Sequence, residues 1–184
     1  MNTTAQRTRD AWLALRCQMG DGDAFRELVA EMERPLLYFA TKLLGDEDGA
    51  LDVLQKTWLR AFRMVRQLEE PQQLRAWLYQ IVRGLAVDEF RKRASVQRLE
   101  QKYAEQQPEA GDEPTFNQED AAAVHRALDE LEPRLREVLL LHFLEDLPIA
   151  EVAVIVGCPE GTVKSRLHHG KRLLRTLLRR ESHD

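Results

Sequence analysis

The chain has 184 residues, 43% of them hydrophobic and 32% charged, with a net charge of −4. This composition is typical of a soluble globular protein with one or two domains. The apolar runs are too short for a membrane span and the N-terminus lacks a signal peptide pattern, so we expect a cytoplasmic protein without membrane insertion. Cys17 and Cys158 lie far apart without a zinc-binding pattern, which predicts two buried thiols and no metal.

Two helical segments are predicted in the first 45 residues. The first covers 10–17, and Asp23 is a candidate N-cap for the second. The second segment carries apolar residues at helical spacing over 25–44, and Pro35 is expected to start a fresh turn or kink within it. Gly45 then ends the pattern in the manner of a left-handed helix cap.

Two longer helices follow, separated by a break at 69–71. The segment 49–68 has a predicted inner stripe of Leu51, Leu54, Trp58, Phe62 and Val65. The segment 71–93 has a predicted inner stripe of Leu74, Trp77 or Leu78, Ile81 and Leu85. Both helices therefore keep a polar face toward solvent.

The polar face of the second of these helices is basic. Six Lys or Arg and two acidic residues lie within 75–98, interleaved with Trp77, Tyr79 and Phe90. Cations and aromatic rings together suit unpaired nucleic acid, because the charges follow the phosphates while the rings stack on bases. Aromatic residues at helical spacing are, however, more often part of a hydrophobic core.

The composition changes over 99–120, where seven acidic residues accompany one Lys. Apolar periodicity ends there, which predicts a flexible acidic linker. Helical pattern resumes at 124–131 and continues after Pro133 through Leu135, Val138, Leu139 and Phe143. We therefore expect an all-α protein of two small helical domains.

The segment from Pro148 to Arg180 predicts a helix-turn-helix. Ile149, Val152, Ala153 and Val156 share one face of a short helix, and Gly157 and Pro159 interrupt it. A second helix follows, with seven Lys or Arg and one Glu over 160–180. Such a helix can lie in the major groove of DNA. The alternatives are a helical hairpin with a solvated basic face or, for the β-branched run 152–156, a strand.

Three stretches resemble the bacterial RNA polymerase sigma factors of the extracytoplasmic-function (ECF) type. DVLQKTWLRAF at 52–62 is similar to their polymerase-docking segment, and LRAWLYQIVRGLAVDEFRKR at 74–93 to the segment that melts and reads the minus-ten element. LREVLLLHFLEDLPIAEVAVIVGCPEGTVKSRLHHGKRLL at 135–174 is similar to the domain that reads the minus-thirty-five element. Their order, with an acidic linker between them, makes the resemblance specific.

The resemblance implies the domain limits and the partners. It implies a first domain at 10–95, a linker at 96–119 and a second domain at 120–184. The expected partners are core RNA polymerase, through its β′ clamp helices and β flap, and promoter DNA; an anti-sigma factor is a further candidate. The implied polymerase contacts are Asp52, Gln55, Lys56, Leu59 and Arg63. Lys56 departs from the acidic residue often found there.

The resemblance also implies two sets of DNA contacts. For the minus-ten element, within and after a base-capturing loop at 68–73, they are Leu68, Gln73, Arg75, Trp77, Arg83, Gly84, Arg91, Lys92 and Arg93. For the minus-thirty-five element they are Thr162, Lys164, Ser165, Arg166, His168, His169 and Arg172. Gly84 stands where the family commonly has Asn, and Gly170 where it commonly has Ala.

The expected function is promoter-directed transcription initiation, without catalysis by the chain itself. The sequence shows no phosphate-binding glycine loop, and His168 and His169 are adjacent rather than one helical turn apart, so neither a nucleotide cofactor nor a metal is expected. The alternative is a helix-turn-helix regulator that acts without polymerase. A structural helical adaptor is a third interpretation, which the two separate basic patches disfavour.

Overall fold

The structure, a computed structural model, describes the backbone of residues 4–100 and 119–181 and the side chains of 4–93 and 123–180. Across these residues every regular element is helical, which confirms the predicted all-α class. The chain forms two compact units, within Asn2–Gly111 and Asp112–Asp184. In the described part of the chain, no helix combines the length and hydropathy of a membrane span. Most of the predicted linker lies outside the described residues.

The described residues of the first unit form four helices. They are α1 (Thr4–Gln18), α2 (Gly22–Leu44), α3 (Glu47–Met64) and α4 (Leu74–Glu100), with 3₁₀ turns at Val65–Gln67 and Pro71–Gln73. α2 packs against the other three helices. The large, fully buried side chains are Leu13, Leu28, Met32, Leu36, Phe39, Leu74, Leu78 and Tyr79. α4 extends beyond its predicted end at residue 93.

The first two helix boundaries follow from local chemistry. The N-cap of α2 is Asp21 and not Asp23 as predicted, because the Asp21 carboxylate accepts hydrogen bonds from the backbone N–H groups of Asp23 (2.9 Å) and Ala24 (3.1 Å). At the other end, Gly45 has φ 68° and its N–H donates to Thr41 O, which confirms the predicted stop.

α2 continues through Pro35. The fresh turn predicted there is wrong, because the buried stripe runs across the proline: Met32 and Leu36 are both essentially inaccessible to solvent. Proline inside a helix costs about 3 kcal/mol. The burial of large side chains on either side of Pro35 offsets that cost, at about 1.5 to 3 kcal/mol for each.

The buried face of α3 agrees only in part with the predicted stripe. Leu54 and Val65 are buried and Trp58 is half-buried as predicted, but Leu51 is 40% exposed and Phe62 is 66% exposed, so these two assignments are wrong. The rest of the buried face consists of Gly49, Ala50, Val53, Thr57 and Ala61. Most of these are small, and small side chains allow α3 to pack closely on α2 and α4. Leu51 and Phe62 consequently point to solvent.

The second unit has α5 (Glu119–Asp129), α6 (Pro133–Leu139), a π-helical turn (Leu140–Leu144), α7 (Ile149–Val156) and α8 (Glu160–Glu181). Arg136 of α6 closes the end of α5. Its guanidinium donates to the carbonyl oxygens of Leu128 (2.8 Å), Asp129 (2.6 Å) and Leu131 (3.0 Å). These bonds satisfy carbonyls that a helix end leaves unpaired.

The π-helical turn reverses one core prediction. Phe143 was expected inside, but it is 48% exposed, while Leu140 and Leu141 are buried. A π turn accommodates one more residue than an α turn, so it rotates the following side chains out of the apolar stripe. The exposed Phe143 ring lies 4.8 Å below the ammonium group of Lys171 on α8.

The two cysteines differ in burial. Cys17 is buried in α1 as predicted, and burial raises the pKa of its thiol. Cys158 is only half-buried, so the prediction of a buried thiol is wrong there. It follows the left-handed Gly157, in the turn between α7 and α8.

Candidate nucleic-acid interface

α7, its turn and α8 form the predicted helix-turn-helix. Gly157 has φ 67°, and its N–H donates to Ala153 O at 3.0 Å. Pro159 O then accepts from the N–H groups of Thr162 (2.9 Å) and Val163 (3.1 Å), which begins α8. The segment 152–156 is helical, so the strand interpretation is wrong.

α8 separates an apolar face from a polar one. Val163, Leu167 and Gly170 are buried against the rest of the unit. Among the predicted minus-thirty-five contacts, five side chains are exposed: Lys164, Ser165, His168, His169 and Arg172. Thr162, in the first turn, is half-buried. The exposed face thus offers cations and hydrogen-bonding groups of the kinds that bind phosphates and base edges.

Arg166 is the exception on this face. Its guanidinium lies 3.7 Å from the carboxylate of Glu137, a buried residue of α6, and the Arg166 side chain is only 22% exposed. Lys164, by contrast, lies 3.6 Å from the exposed Glu160 one turn earlier, a pair that solvent screens. A DNA contact by Arg166 therefore competes with an internal ion pair.

Gly170 sets how closely α8 approaches α6. A Cβ at this position would lie 2.9 Å from Leu139 Cδ1 and 3.2 Å from Leu139 Cγ. Leu139 is 2% exposed, so its side chain has little room to move. The glycine therefore allows a close contact that supports the basic helix from behind.

On α4, Arg75 faces the protein interior. Its Nε lies 3.1 Å and 3.3 Å from the two carboxylate oxygens of Asp10, which is 4% exposed, and Gln6 donates to the same carboxylate at 2.8 Å. This ion pair joins α1 to the beginning of α4. Arg75 as a phosphate contact remains a prediction, and that contact would require the ion pair to open.

Arg93 also binds a carboxylate of its own unit. It lies 2.7 Å from Asp46, the N-cap of α3, and 3.4 Å from Glu89 on α4. The hydrogen bond from Arg93 is the largest cause that lowers the pKa of Asp46. The guanidinium covers Gly49, where an added Cβ would overlap with Arg93 Nη2. Arg93 therefore fastens α4 to the N-terminus of α3.

The other predicted minus-ten residues of α4 differ in exposure. Arg91 and Lys92 are exposed, whereas Arg83 and Trp77 are half-buried. Tyr79 is fully buried, with its ring edge-on to Phe39 at 5.2 Å, so it belongs to the core. The remaining aromatic residue, Phe90, is 62% exposed. Part of the basic and aromatic pattern is therefore core structure.

The predicted loop at 68–73 consists of 68–70, between the two 3₁₀ turns, and the second turn itself, Pro71–Gln73. Leu68 and Gln73 are half-buried, and Glu69, Glu70 and Gln72 are exposed. The Gln73 side chain donates to the Glu70 carboxylate, and the Gln73 N–H donates to Glu70 O at 2.9 Å. Gly84, farther along α4, is exposed, and a Cβ there would meet no atom within 4 Å. Larger side chains fit at Gly84.

The predicted polymerase contacts lie along the outer face of α3. All five residues are exposed: Asp52, Gln55, Lys56, Leu59 and Arg63. Leu59 is 60% exposed, and the exposed Phe62 beside it packs edge-on against Phe25 at 5.2 Å. Phe62 was missed as a surface residue because its apolar character suggested the core. The small residues of the opposite face, Ala50 and Ala61, were the signal that could have placed it.

In the parts of the chain whose side chains are described, no three His, Cys, Asp or Glu residues cluster as metal ligands do. His168 and His169 both lie on the exposed part of α8.

Comparison with known proteins supplies the family. The Sigma-70 region 2 model matches residues 28–96, and the Sigma-70, region 4 model matches residues 121–174. The ECF RNA polymerase sigma factor EcfG of Rhodopseudomonas palustris is 32% identical over 158 residues, which cover 85% of this chain and 86% of that protein. RNA polymerase sigma factor SigV of Bacillus subtilis is 29% identical over 153 residues, covering 83% and 90% respectively.

Two solved structures share the fold at comparable identity. The sigma factor RpoE of Bartonella quintana, crystallised with the anti-sigma factor NepR, has a TM-score of 0.68 and 27% identity over 84% of this chain and 96% of that one. CnrH in complex with the cytosolic domain of CnrY has a TM-score of 0.66 and 26% identity, covering 92% and 96%. The helical unit and the helix-turn-helix unit, in this order, define a sigma factor of transcription initiation. The chain belongs to the ECF RNA polymerase sigma factors.

Proposed function

We propose that residues 10–95 dock on core RNA polymerase and read the minus-ten element, and that 120–184 read the minus-thirty-five element, with 96–119 linking them. The observation that carries this assignment is the separation of two kinds of exposed surface. α3 exposes Leu59 and Phe62 among polar groups, whereas the first half of α8 exposes mainly cationic and polar residues. An apolar patch with a polar rim suits a protein partner, and a cationic helix suits DNA.

The docking surface on α3 consists of Asp52, Gln55, Lys56, Leu59, Phe62 and Arg63. The β′ clamp helices are the partner proposed for it, and the β flap is a partner proposed for the second domain. Lys56 lies 4.0 Å from Glu89 of α4, so its charge is partly compensated within the unit. Leu59 and Phe62 are the side chains expected to contribute most, because burying a large apolar side chain is worth about 1.5 to 3 kcal/mol.

The minus-thirty-five contacts are proposed for the exposed face of α8, with Thr162 near a phosphate at the helix N-terminus. The minus-ten contacts are proposed for the loop 68–73, Trp77, Arg83, Gly84, Arg91 and Lys92. Arg75 and Arg93 belong to the set predicted from sequence, but we leave them out of the proposed contacts because ion pairs with Asp10 and Asp46 occupy them. Binding energy, rather than a catalytic residue of this chain, opens the duplex.

A cytoplasmic location and a role without catalysis complete the proposal, since both are properties expected of a transcription initiation factor. Two similar solved structures are complexes, one of RpoE with the anti-sigma factor NepR and one of CnrH with the cytosolic domain of CnrY. An anti-sigma protein is therefore a candidate partner for this chain as well.

Reconstitution with purified core polymerase tests the proposal. Leu59→Ala with Phe62→Ala should reduce co-purification with core by about tenfold or more, because two apolar contacts are removed. Lys164→Ala with Arg172→Ala should leave co-purification unchanged and weaken promoter binding by the holoenzyme. If the α3 double variant bound core like the parent protein, the docking surface would be wrongly assigned.

The alternative, a regulator that acts without polymerase, makes a different prediction. The net charge is −4 and the segment 99–120 carries seven acidic residues, so we expect this segment to repel DNA and to compete with it for the basic faces. We therefore expect weak binding of promoter duplex by the isolated protein at physiological salt. Tight, sequence-specific binding without core polymerase in a gel-shift assay would favour the alternative.

A further inference from the structure

The loop proposed to capture a base is held by α1, a helix that precedes the matched region 2 segment at 28–96. The side-chain amide of Gln18, the last residue of α1, donates to Leu68 O at 2.7 Å and to Val65 O at 3.2 Å. One NH₂ group has two hydrogens, so both can be used at once. Gln18 thereby fixes the backbone at the point where the loop begins.

The position of these carbonyls matters for the loop. The Leu68 carbonyl belongs to the planar peptide unit that joins Leu68 to Glu69, so a hydrogen bond to it orients that whole unit. Leu68 itself is extended, with φ −69° and ψ 108°, and follows the 3₁₀ turn Val65–Gln67. The direction in which the exposed Glu69 and Glu70 leave the helical scaffold is therefore set at the atom that Gln18 contacts.

Gln18 is itself held firmly. The end of α1 is closed by hydrogen bonds from the N–H groups of Gly20 to Cys17 O (3.0 Å) and of Asp21 to Arg16 O (3.1 Å). Gly20 has φ 86°, and a Cβ there would lie 3.3 Å from Arg66 Nη2, so this turn lies directly beside the 3₁₀ turn. A glutamine on such a support can position a neighbouring segment.

The far side of the loop is tied to the same helix. Arg75, two residues after the loop ends, binds the buried Asp10. Asp10 and Gln18 are eight residues apart on α1, which corresponds to about 12 Å along a helix axis. α1 therefore contacts both sides of the loop and spans the distance between them.

We propose that Gln18 is a positioning residue for base selection at the minus-ten element, acting through the backbone of the loop 68–73. This inference rests on the proposed role of that loop in reading the promoter. Gln18 itself is not expected to contact DNA. Its contribution is to restrict the loop to one conformation before the base arrives, so that less ordering is needed on binding.

The test replaces Gln18 by residues that remove or keep its hydrogen-bond donor. Gln18→Glu keeps the size of the side chain but places a carboxylate against two carbonyl oxygens, whereas Gln18→Lys keeps a hydrogen-bond donor. Gln67→Glu is the matched control, because Gln67 is exposed beside the loop and receives the same charge without touching the Gln18 bonds. The readout is transcription by the reconstituted holoenzyme from promoters that vary each position of the minus-ten element in turn.

Gln18→Glu should reduce the ratio of transcription between the preferred and the other bases at the captured position by about 2- to 10-fold. This is the effect of one or two lost hydrogen bonds. Gln18→Lys should retain most of the preference, and Gln67→Glu all of it. A purely structural role would lower transcription from all promoters equally. Urea unfolding followed by tryptophan fluorescence corrects for folded fraction, since Trp12, Trp58 and Trp77 all belong to the first unit.

Glu70→Ala with Gln73→Ala separates the two proposals. If this loop variant changes the preference profile and Gln18→Glu does not, or lowers every promoter equally, the positioning role is wrong while the role of the loop stands. If neither variant changes the profile, the loop does not read the base, and both proposals fall. If the loop variant and Gln18→Glu both change the preference profile, and Gln18→Lys keeps the profile of the parent protein, the positioning role is supported.

Discussion

α4 and α8 are both rich in Lys and Arg, yet their cations are used differently. In α4, Arg75 and Arg93 bind carboxylates of α1 and α3, at 3.1 Å and 2.7 Å. In α8, Arg172 is exposed, and Arg166 is the residue that binds a buried carboxylate, Glu137. A count of basic residues therefore does not separate charges that hold helices together from charges available to DNA.

The largest effect is expected from Asp10→Ala. It removes a buried carboxylate from Arg75 and leaves a largely buried cation, which costs about 3 kcal/mol. Urea unfolding by tryptophan fluorescence measures this for the first unit. Arg91→Ala is the control, because Arg91 and Asp88 form an exposed pair at 3.9 Å; it should change stability by less than about 1 kcal/mol. Equal effects of the two variants would remove the distinction between the two kinds of cation.

A somewhat smaller loss of stability is expected from a substitution at Gly170, which lies behind the basic face of α8. Gly170→Val should destabilise the second unit by about 2 kcal/mol, because the added atoms overlap with Leu139. Gly161→Val, in the first turn of the same helix, meets no atom within 4 Å at its Cβ and serves as the control. Hydrogen exchange of α6 and α8 amides in the full chain measures both. Unchanged protection in Gly170→Val would show that the helices can separate without cost.

Replacing Gly84 on α4 should increase the stability of the first unit. Gly84→Ala should stabilise the first unit by about 1 kcal/mol, because the position is helical, exposed and open. Gly84→Asn also removes the glycine from the helix, and it adds an amide group that could contact the base. Transcription from four promoters that differ at the captured base should show a base preference sharpened by about 1 to 3 kcal/mol. Identical profiles for Gly84→Ala and Gly84→Asn would mean that position 84 does not face the base.

The smallest effect concerns Asp46 and depends on pH. Arg93 lowers the pKa of Asp46 in the folded protein, so this carboxylate stabilises the fold above its unfolded pKa of about 4, and the contribution is lost as pH falls through the lower folded value. Asn also caps helices well, so Asp46→Asn removes mainly the ion pair, about 0.5 kcal/mol for these partly exposed groups. The difference from the parent protein should disappear in titrations near pH 2. A constant difference would exclude the ion pair as its cause.

Features encoded by neighbouring residues were predictable from sequence. The stops at Gly45 and Gly157 and the helix start at Pro133 depend on local backbone chemistry, and the structure confirms them. The ECF family was predictable from the order of its motifs, and the comparisons confirm it. The residues assigned to DNA and polymerase stay predictions, supported by the exposed faces of α3 and α8.

Features that depend on distant residues were not predictable. The Asp10–Arg75 pair joins residues 65 positions apart in the sequence. The Gln18 amide donates to Leu68 O, 50 positions away. Leu51 and Phe62 of α3 were misassigned because helical periodicity gives weight to bulky apolar residues, whereas close helix packing placed small residues such as Ala50 and Ala61 inside. Phe143 was misassigned because periodicity assumes 3.6 residues per turn, and the π turn at Leu140–Leu144 interrupts that spacing.

We infer that exposure and internal pairing, not charge alone, decide which arginines of this protein bind DNA. The salt dependence of promoter binding by the holoenzyme, compared for Arg172→Ala and Arg93→Ala, tests this inference. Each lost phosphate contact reduces the slope of log K against log salt by about 1. We predict that reduction for Arg172→Ala and an unchanged slope for Arg93→Ala. An equal reduction for both variants would contradict the inference.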